Sequence, residues 1–242
     1  MRKYLKLITS QIKRIGKDNL LLLLSVYPLI LAVVGRFLVP FLRESFIDKF
    51  DLIIHYPAIA AFFILANPYI YGALAAFLLL DEREENVLQV IRVTPLTLNK
   101  YLMIKVAFFT AISFVSGLAI IKVINLVDIS LFESIYINAL LSLAAPFNLI
   151  LINAFAKNRV EGFALVKGSG ILIMLPLVAF YIPEQFNLIA GIVPGYWPAM
   201  AIRKIVEPSF GIMPYWAYAL VGLIYILILM KVLAGKFKRS IS

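Results

Sequence analysis

Long apolar stretches without any charged residue constrain this chain most. Residues 57–80 contain no charge, and neither do residues 106–121. A helix needs about 20 apolar residues to cross the ~30 Å hydrocarbon core of a bilayer. Hydrophobic residues make up 63% of the 242 residues, against about 45–50% in an ordinary soluble domain, so the chain holds several such segments. We therefore predict an all-α, multi-pass membrane protein that forms one domain over residues 1–242.

Six of the apolar segments have the length of a membrane-spanning helix. They cover approximately residues 20–39, 58–80, 105–127, 135–156, 162–182 and 215–233. Pro28 predicts a kink in the first span, and Asn67-Pro68 predicts an interruption of the second, because proline lacks a backbone donor and crowds the preceding turn. Polar residues inside the spans, such as Asn67, Asn148 and Asn153, are more typical of hydrogen bonds between helices than of ligand binding.

A further apolar stretch, residues 186–202, is unsuited to a straight span. Its helix-breaking residues are Gly191, Pro194, Gly195 and Pro198. This pattern favours two short half-helices that enter and leave the bilayer on the same side. Tyr196 and Trp197 would then lie at the depth of the lipid headgroups. We therefore predict re-entrant half-helices in the outer leaflet before the sixth span.

The distribution of positive charge predicts the orientation. Of the 23 Lys and Arg residues, 17 lie in segments on one side of a six-span protein, with 6 in residues 1–17, 4 in 83–105, 3 in 157–167 and 4 in 231–239. Because cytoplasmic loops carry the excess of Lys and Arg, both termini are predicted to be cytoplasmic in a multi-pass protein of the plasma membrane. The net charge of +10 then indicates that this face contacts anionic lipid, and not that the chain binds nucleic acid.

The N-terminal residues 1–18 have the pattern of a helix that lies along the membrane surface. At about 100° per residue, the apolar residues of MRKYLKLITSQIKRIGK share one face, and the Lys and Arg residues share the other. Such a basic amphipathic helix is expected to contact membrane lipid. Asp18 or Asn19 is placed to cap the helix that follows.

A polar loop, residues 81–100, separates the second span from the third. Four acidic residues open it, namely Asp81, Glu82, Glu84 and Glu85. Negative charge at a helix start is favoured by the helix dipole. Val87, Val90 and Ile91 then follow helical spacing, Pro95 ends the short helix, and Thr97 is placed to cap the next one. This pattern fits a helix that docks into a groove of a partner protein, and it fits a solvated charged loop equally well.

The sequence lacks the residues that several kinds of chemistry require. There is no G-x-x-x-x-G-K-[ST] phosphate loop for ATP. With no cysteine and a single histidine, His55, the chain has neither a thiolate nucleophile nor enough ligands for a catalytic metal. Its 13 Asp and Glu residues fall in loops or at span ends, whereas an ion-driven carrier needs an ionisable group at membrane depth. We expect no catalytic residue, metal site or cofactor in this chain. An ion-coupled secondary carrier stays open as an alternative, and an intramembrane enzyme or a sensor partner is a further one.

The polar loop resembles that of a known family. Residues 78–105, LLLDEREENVLQVIRVTPLTLNKYLMIK, are similar to the loop between spans two and three of the type-2 ABC exporter permeases. KNRVEG at residues 157–162, together with Pro176 and PGYWP at residues 194–198, resembles the fluoroquinolone-export branch of these permeases. Asn86-Val87 stands where the family has Gly-Thr. Because asparagine tolerates left-handed backbone, we expect the turn to persist.

The resemblance implies the permease subunit of an ATP-driven exporter. Two copies of a separate ABC ATPase would bind ATP and Mg, and a second permease chain, identical or homologous, would complete a dimer. The ATPase-coupling residues that it implies are Glu82, Arg83, Glu84, Glu85, Val87, Leu88, Ile91, Arg92 and Pro95. It also implies a second cytoplasmic contact at Arg159, Glu161 and Gly162, and an outer gate at Pro194, Gly195, Tyr196, Trp197 and Pro198. Residues 1–18 would be the interfacial connecting helix. Apolar spans favour an amphipathic or lipophilic cargo, such as a drug, an antimicrobial peptide or a lipid-like molecule.

Overall fold

The computed structural model describes residues 2–94 and 96–240, and the regular elements in these residues are all helical. In chain order the α-helices are α1 (Arg2–Lys17), α2 (Asn19–Phe46), α3 (Tyr56–Glu84), α4 (Val87–Arg92), α5 (Leu98–Ile124), α6 (Leu131–Leu141), α7 (Ala144–Phe155), α8 (Arg159–Ser169), α9 (Ile171–Val178), α10 (Glu184–Asn187), α11 (Tyr196–Val206) and α12 (Tyr215–Ser240). Short 3-10 helices, Leu52–His55 and Leu188–Ile192, precede α3 and follow α10. The all-α prediction is confirmed for this part of the chain.

Six segments of the described chain are long and apolar enough to cross a membrane. They are Asn19–Phe46, Leu52–Glu84, Leu98–Ile124, Leu131–Phe155, Arg159–Val178 and Tyr215–Ser240. The predicted spans are confirmed in number and order. α2 and α12 extend about two turns past their predicted C-terminal ends, and α5 begins about two turns before its predicted start and ends three residues before its predicted end.

α3 is the central helix of the bundle. It packs against α2, α5, α7 and α11, and most of its side chains are buried. Its sequence is apolar on every side, as expected for a helix that other helices enclose. The large apolar side chains of α2 are mostly exposed and few of those of α12 are buried, which suits contact with lipid.

Two apolar clusters lie along α3, one at each end of the bundle. The first joins the C-terminal half of α3 to α4, α7 and the start of α5, and we call this side the loop end. The second joins the N-terminal half of α3 to α6, α11 and the start of α12, and we call this side the far end. α3 therefore connects the polar loop with the segment that precedes the sixth span.

Buried asparagines connect neighbouring spans by hydrogen bonds. The amide of Asn67 on α3 donates to the carbonyl oxygen of Ser113 on α5 at 2.8 Å. The amide of Asn148 on α7 donates to the carbonyl oxygen of Tyr69 at 2.7 Å, and Asn153 donates to another carbonyl of α3 at 3.3 Å. These bonds satisfy polar groups that lipid could not, which is the interhelical role predicted for them.

The second and fourth spans depart from the prediction in opposite ways. α3 continues through Asn67-Pro68, so the predicted interruption is wrong, and neighbouring helices support the proline position. The fourth span, predicted as one helix, divides at Ser142-Leu143 into α6 and α7. Pro146 explains the division, because its ring would clash with the carbonyl of residue 142 in a continuous helix but is tolerated in the first turn of α7.

Short helices occupy the stretch from residue 186 to residue 202, and α11 extends four residues beyond it to Val206. Whether they enter and leave one side of a membrane stays a prediction. Tyr196 is 1% exposed and lies in the protein core, so it faces other helices and not lipid, while its depth in the membrane stays a prediction. Its hydroxyl donates to the side-chain oxygen of Asn187 at 2.8 Å, which holds it inward.

Candidate coupling site

The loop at residues 81–100 is a folded structure with a sharp turn at its start. α3 ends at Glu84, and Asn86 has φ 58° and ψ 17°, the left-handed conformation that asparagine adopts more readily than most residues. α4 begins immediately after it, at Val87. The loop ends where the hydroxyl of Thr97 accepts a hydrogen bond from the N–H of Lys100 and caps α5. The expected left-handed turn and the predicted helix cap are both present.

The apolar residues of α4 divide between two faces. Leu88 and Ile91 are 4% and 9% exposed and belong to the core at the loop end. Val90 and Val93 are 61% and 85% exposed. Leu88 and Ile91 were predicted to contact a partner, and this is corrected, because packing against the ends of α3 and α5 turns them inward. We call the exposed set Gln89, Val90, Arg92 and Val93 the α4 outer face.

The remaining predicted coupling residues of this loop differ in exposure. Glu84, Glu85 and Arg92 are exposed, whereas Arg83 and Val87 are half-buried. Arg83 donates from its guanidinium to the carbonyl oxygen of Ala156 at 2.9 Å, beyond the C-terminal end of α7, where a positive charge is favoured. Arg83 therefore binds within the chain. Pro95 was also predicted to belong to this site and lies outside the described residues.

Glu82 is buried, which corrects its prediction as a surface contact. Lys105 Nζ lies 2.8 Å from Glu82 Oε1 and 2.7 Å from Oε2, and the two residues are 0% and 4% exposed respectively. The hydroxyl of Tyr101 donates to Glu82 Oε1 at 2.5 Å. Lys105 had been counted with the cytoplasmic loop, but the structure places it inside the bundle. Neither partner could keep its charge there alone, since an unpaired buried charge is very costly.

Arg159 on α8 joins three segments at the loop end. Its Nη1 atom lies 2.8 Å from Asp18 Oδ2 and 3.8 Å from Asp81 Oδ2. Its backbone N–H donates to Glu84 Oε1 at 3.0 Å. We call this group of four residues the Arg159 junction. Glu84 and Arg159 were predicted as separate contacts to an ATPase, and the structure brings them together within one chain.

Asp18 and Arg159 of the Arg159 junction form an ion pair that depends on pH. The hydrogen bond from Arg159 lowers the pKa of the Asp18 carboxyl below its ordinary value of 3.8, an effect that partial burial opposes. Because the pKa is lower in the folded state, the bond stabilises the fold above this ordinary value and is lost as the pH falls through the lowered pKa. Asp18 also accepts hydrogen bonds from the first N–H groups of α2, which confirms it as the predicted helix cap.

The amphipathic helix α1 also contacts the loop directly. Arg14 forms an ion pair with Glu85. A polar cavity of about 360 Å³ lies beside this pair, and Lys17 and Asp18 line it together with acidic residues of the loop. The contact was missed at the level of sequence, although the strongly basic α1 and the strongly acidic loop were a signal for it.

Residues Glu161 and Gly162 have mainly local roles at the start of α8. Glu161 Oε2 accepts from the N–H of Lys157 at 2.8 Å, while the N–H of Glu161 donates to the side chain of Asn158, so these groups cap the helix. Gly162 is buried, and a Cβ there would lie 2.7 Å from Leu80 Cδ1. The prediction of Gly162 as a partner contact is therefore corrected, because the residue allows α8 to approach α3.

The predicted outer gate lies at the far end. Pro194, Gly195 and Pro198 line an apolar cleft with residues of α3, α6 and α12. A Cβ on Gly195 would lie 2.5 Å from the carbonyl oxygen of Leu172, so this close approach requires glycine. The ring N–H of Trp197 donates at 3.1 Å to a carbonyl of the preceding 3-10 helix. The structure thus brings these residues together, while a gating role stays a prediction.

The described spans, with a folded polar loop at one end, define a multi-pass membrane protein. The chain belongs to the family described as fluoroquinolones export permease protein Rv2686c-like, whose model matches residues 11–234. It is 31% identical over 234 residues to two proteins of Mycobacterium tuberculosis, from strains CDC 1551 / Oshkosh and ATCC 25618 / H37Rv, each named a fluoroquinolones export permease protein. The match covers 95% of this chain and 91% of each relative. No solved structure matches. The resemblance to the fluoroquinolone-export branch of the ABC permeases is confirmed.

Proposed function

We propose that this chain is the membrane subunit of an ATP-driven exporter, and that a separate ABC ATPase docks on the α4 outer face. Two permease chains and two ATPase subunits form the working unit, with ATP and Mg bound by the ATPases. The loop end and both termini face the cytoplasm of a cell whose plasma membrane holds the permease. The cargo is an amphipathic or lipophilic compound, and fluoroquinolones, for which both relatives are named, are the first candidates.

The observation that carries this proposal is the arrangement of α4. Val90 and Val93 expose apolar surface beside polar Gln89 and Arg92, which suits a helix that lies in the groove of another protein. The opposite side of α4 is fixed to the ends of α3 and α5 through Leu88 and Ile91. A force on the outer face would therefore act on two spans at once. A solvated loop would need neither the inward packing nor the helical turn at its start.

The docking surface is tested by placing negative charge on it. In Val90→Asp with Val93→Asp, both new carboxylates face solvent, so we expect normal insertion and folding of the chain. An apolar contact at the centre of an interface would be lost, and such contacts often contribute 2 kcal/mol or more, roughly 30-fold in affinity. The measurement is the ATP hydrolysis that co-purifies with the tagged permease from host membranes, which we expect to fall at least tenfold.

Ile212→Asp is the matched control. Ile212 is 98% exposed in the segment between α11 and α12, at the far end from α4, so the substitution adds one exposed carboxylate, half of the charge added to α4, away from the proposed interface. It should leave the co-purifying ATP hydrolysis unchanged. Equal hydrolysis with the doubly substituted α4 and with wild type would refute docking on the α4 outer face. Absence of any hydrolysis with wild type would refute the ATP-driven exporter itself.

The buried pair Glu82–Lys105 supports a second candidate, an ion-coupled carrier, because ionisable groups inside a membrane bundle often serve ion coupling. This candidate is weaker, since the two charges neutralise each other and both carboxylate oxygens are hydrogen-bonded. Purified permease in vesicles with an imposed proton gradient decides between them. Drug transport without ATP and without another polypeptide would favour the carrier.

A further inference from the structure

The ion pair between Glu82 and Lys105 is the most deeply buried charge in the described part of the bundle. Both carboxylate oxygens lie within 2.8 Å of the ammonium nitrogen, and Tyr101 adds a third hydrogen bond. Tyr101 also belongs to the apolar cluster at the loop end, so the ion pair adjoins that cluster. Both side chains are buried, so neither is exposed at the surface on which a partner would dock.

Such a pair is not the simplest way to fill a core. Replacing a buried ion pair by apolar residues of similar volume is often neutral or stabilising, because removing two charges from water costs about as much as their attraction returns. Removal of one partner is different, since it leaves the other charge buried and alone. A buried ion pair constrains geometry more than apolar packing does. It holds two atoms at one distance, whereas apolar contacts let two helices slide past each other.

The ion pair lies where this constraint acts on the polar loop. Glu82 lies two residues before the end of α3, and Lys105 lies about two turns after the start of α5. The chain between them contains the left-handed turn at Asn86, the whole of α4 and the cap at Thr97. The bond therefore closes the base of the loop, while Leu88 and Ile91 hold its middle against the same two helices.

We propose that Glu82 and Lys105 are positioning residues for energy coupling. Their bond holds the ends of α3 and α5 at a fixed separation, so that α4 and both spans move as one rigid body when an ATPase displaces the α4 outer face. Without the bond, displacement of α4 is absorbed by sliding between the two helix ends. This inference rests on the proposed function of the loop.

The first test separates the fold from the coupling. In the double variant Glu82→Leu with Lys105→Met, apolar groups of similar size replace both charges, so no unpaired charge remains and insertion should be normal. We expect co-purification of the ATPase and ATP hydrolysis to stay within about twofold of wild type. Fluoroquinolone transport into inverted vesicles, measured on the same preparation, should fall at least tenfold. A residue with only a structural role would lower expression and ATPase binding together.

The charge-reversed variant Glu82→Lys with Lys105→Glu restores an ion pair between the same positions. Transport should recover to at least one third of wild type, which apolar packing does not explain. Transport by the double apolar variant at the wild-type level would overturn the proposal, and so would a charge-reversed variant that folds and binds the ATPase but transports no better than the apolar one.

A second measurement needs neither ATPase nor cargo. Hydrogen exchange of the backbone amides in residues 87–93 reports how firmly α4 is held in the purified permease. We expect exchange at least tenfold faster in the double apolar variant than in wild type, with unchanged exchange in α7 as the internal reference. Equal exchange in both proteins would refute the proposal that the Glu82–Lys105 bond holds α4 in place. This result would be decisive even if the charge-reversed variant fails to fold. If wild type shows no ATP-driven transport, the proposed function fails, whereas this measurement still decides whether the pair holds the loop.

Discussion

Gly72 on α3 marks the closest approach between the central helix and α7. A Cβ at this position would lie 2.5 Å from the carbonyl oxygen of Ala145 and 2.7 Å from Cβ of Asn148. Carbon atoms in contact need about 3.5–4.0 Å, so Gly72→Ala requires the two helices to separate by roughly 1 Å. The neighbouring atoms are backbone or lie next to it, and no flexible side chain can turn aside. The substitution should therefore disturb the interface that holds α3 in the bundle.

The expected cost follows from three contributions. Overpacking of a close interface costs about 1–3 kcal/mol. Separation of the helices also lengthens the bond from Asn148 to the carbonyl of Tyr69, now 2.7 Å, and such interhelical bonds contribute about 0.6 kcal/mol. Alanine returns about 0.8–1.0 kcal/mol through its helix propensity. We expect Gly72→Ala to lower the free energy of unfolding by about 0.6–2.8 kcal/mol.

Gly235→Ala is the matched control, because a Cβ at Gly235 in α12 would meet nothing within 4 Å. The same substitution should there raise the free energy of unfolding by about 0.5–1 kcal/mol. Both variants are compared with wild type by titrating the purified permease with SDS in mixed micelles and following the fluorescence of its two tryptophans. A Gly72→Ala variant that is as stable as Gly235→Ala would refute the close crossing of α3 and α7.

Two further predictions concern the polar loop. Asn86→Gly should leave stability unchanged, whereas Asn86→Val should cost about 1–2 kcal/mol in the same titration, because a β-branched residue is strained at positive φ; equal stability of the two variants would contradict the left-handed turn. In the chain, which has no native cysteine, a cysteine at Val93 should react with an impermeant thiol reagent only after cells are permeabilised, while one at Ile212 should react in intact cells. The reverse pattern of labelling would place the loop outside the cell and contradict its role with an ATPase.

Much of the fold follows from local sequence. The spans could be predicted because a helix in lipid must be long and uncharged. The caps at Asp18 and Thr97 could be predicted because such side chains accept hydrogen bonds from the first N–H groups of a helix. The division at Ser142-Leu143 was missed at the level of sequence, although Pro146 was a signal for it, because a proline disfavours the helical turn before it. At Asn67-Pro68 the same rule failed, because α5 supplies partners for the side chain of Asn67 and α3 stays continuous.

The candidate site was less predictable, since tertiary packing determines which side of α4 is exposed. Apolar residues occur on both sides of α4, which is only six residues long. Helical periodicity therefore cannot distinguish the buried residues Leu88 and Ile91 from the exposed residues Val90 and Val93. The pairing of Glu82 with Lys105 spans 23 positions, and only the fold brings them together. Their opposite charges at similar distances from the ends of two adjacent spans were the one available signal.

The continuous helix α3 connects the apolar cleft at the far end with the polar loop. Leu65 and Tyr69 line the apolar cleft that contains Pro194 and Pro198, and Glu82 stands at the base of the loop. These two regions lie about 20–25 Å apart along one helix, at 1.5 Å per residue. Because α3 is one helix and nearly enclosed, a displacement at its loop end would be carried along it toward the far end. The fourth and fifth spans, in contrast, are divided between α6 and α7 and between α8 and α9. We therefore infer that, of the helices packed against the far-end cleft, α3 carries the displacement between the coupling loop and the predicted outer gate.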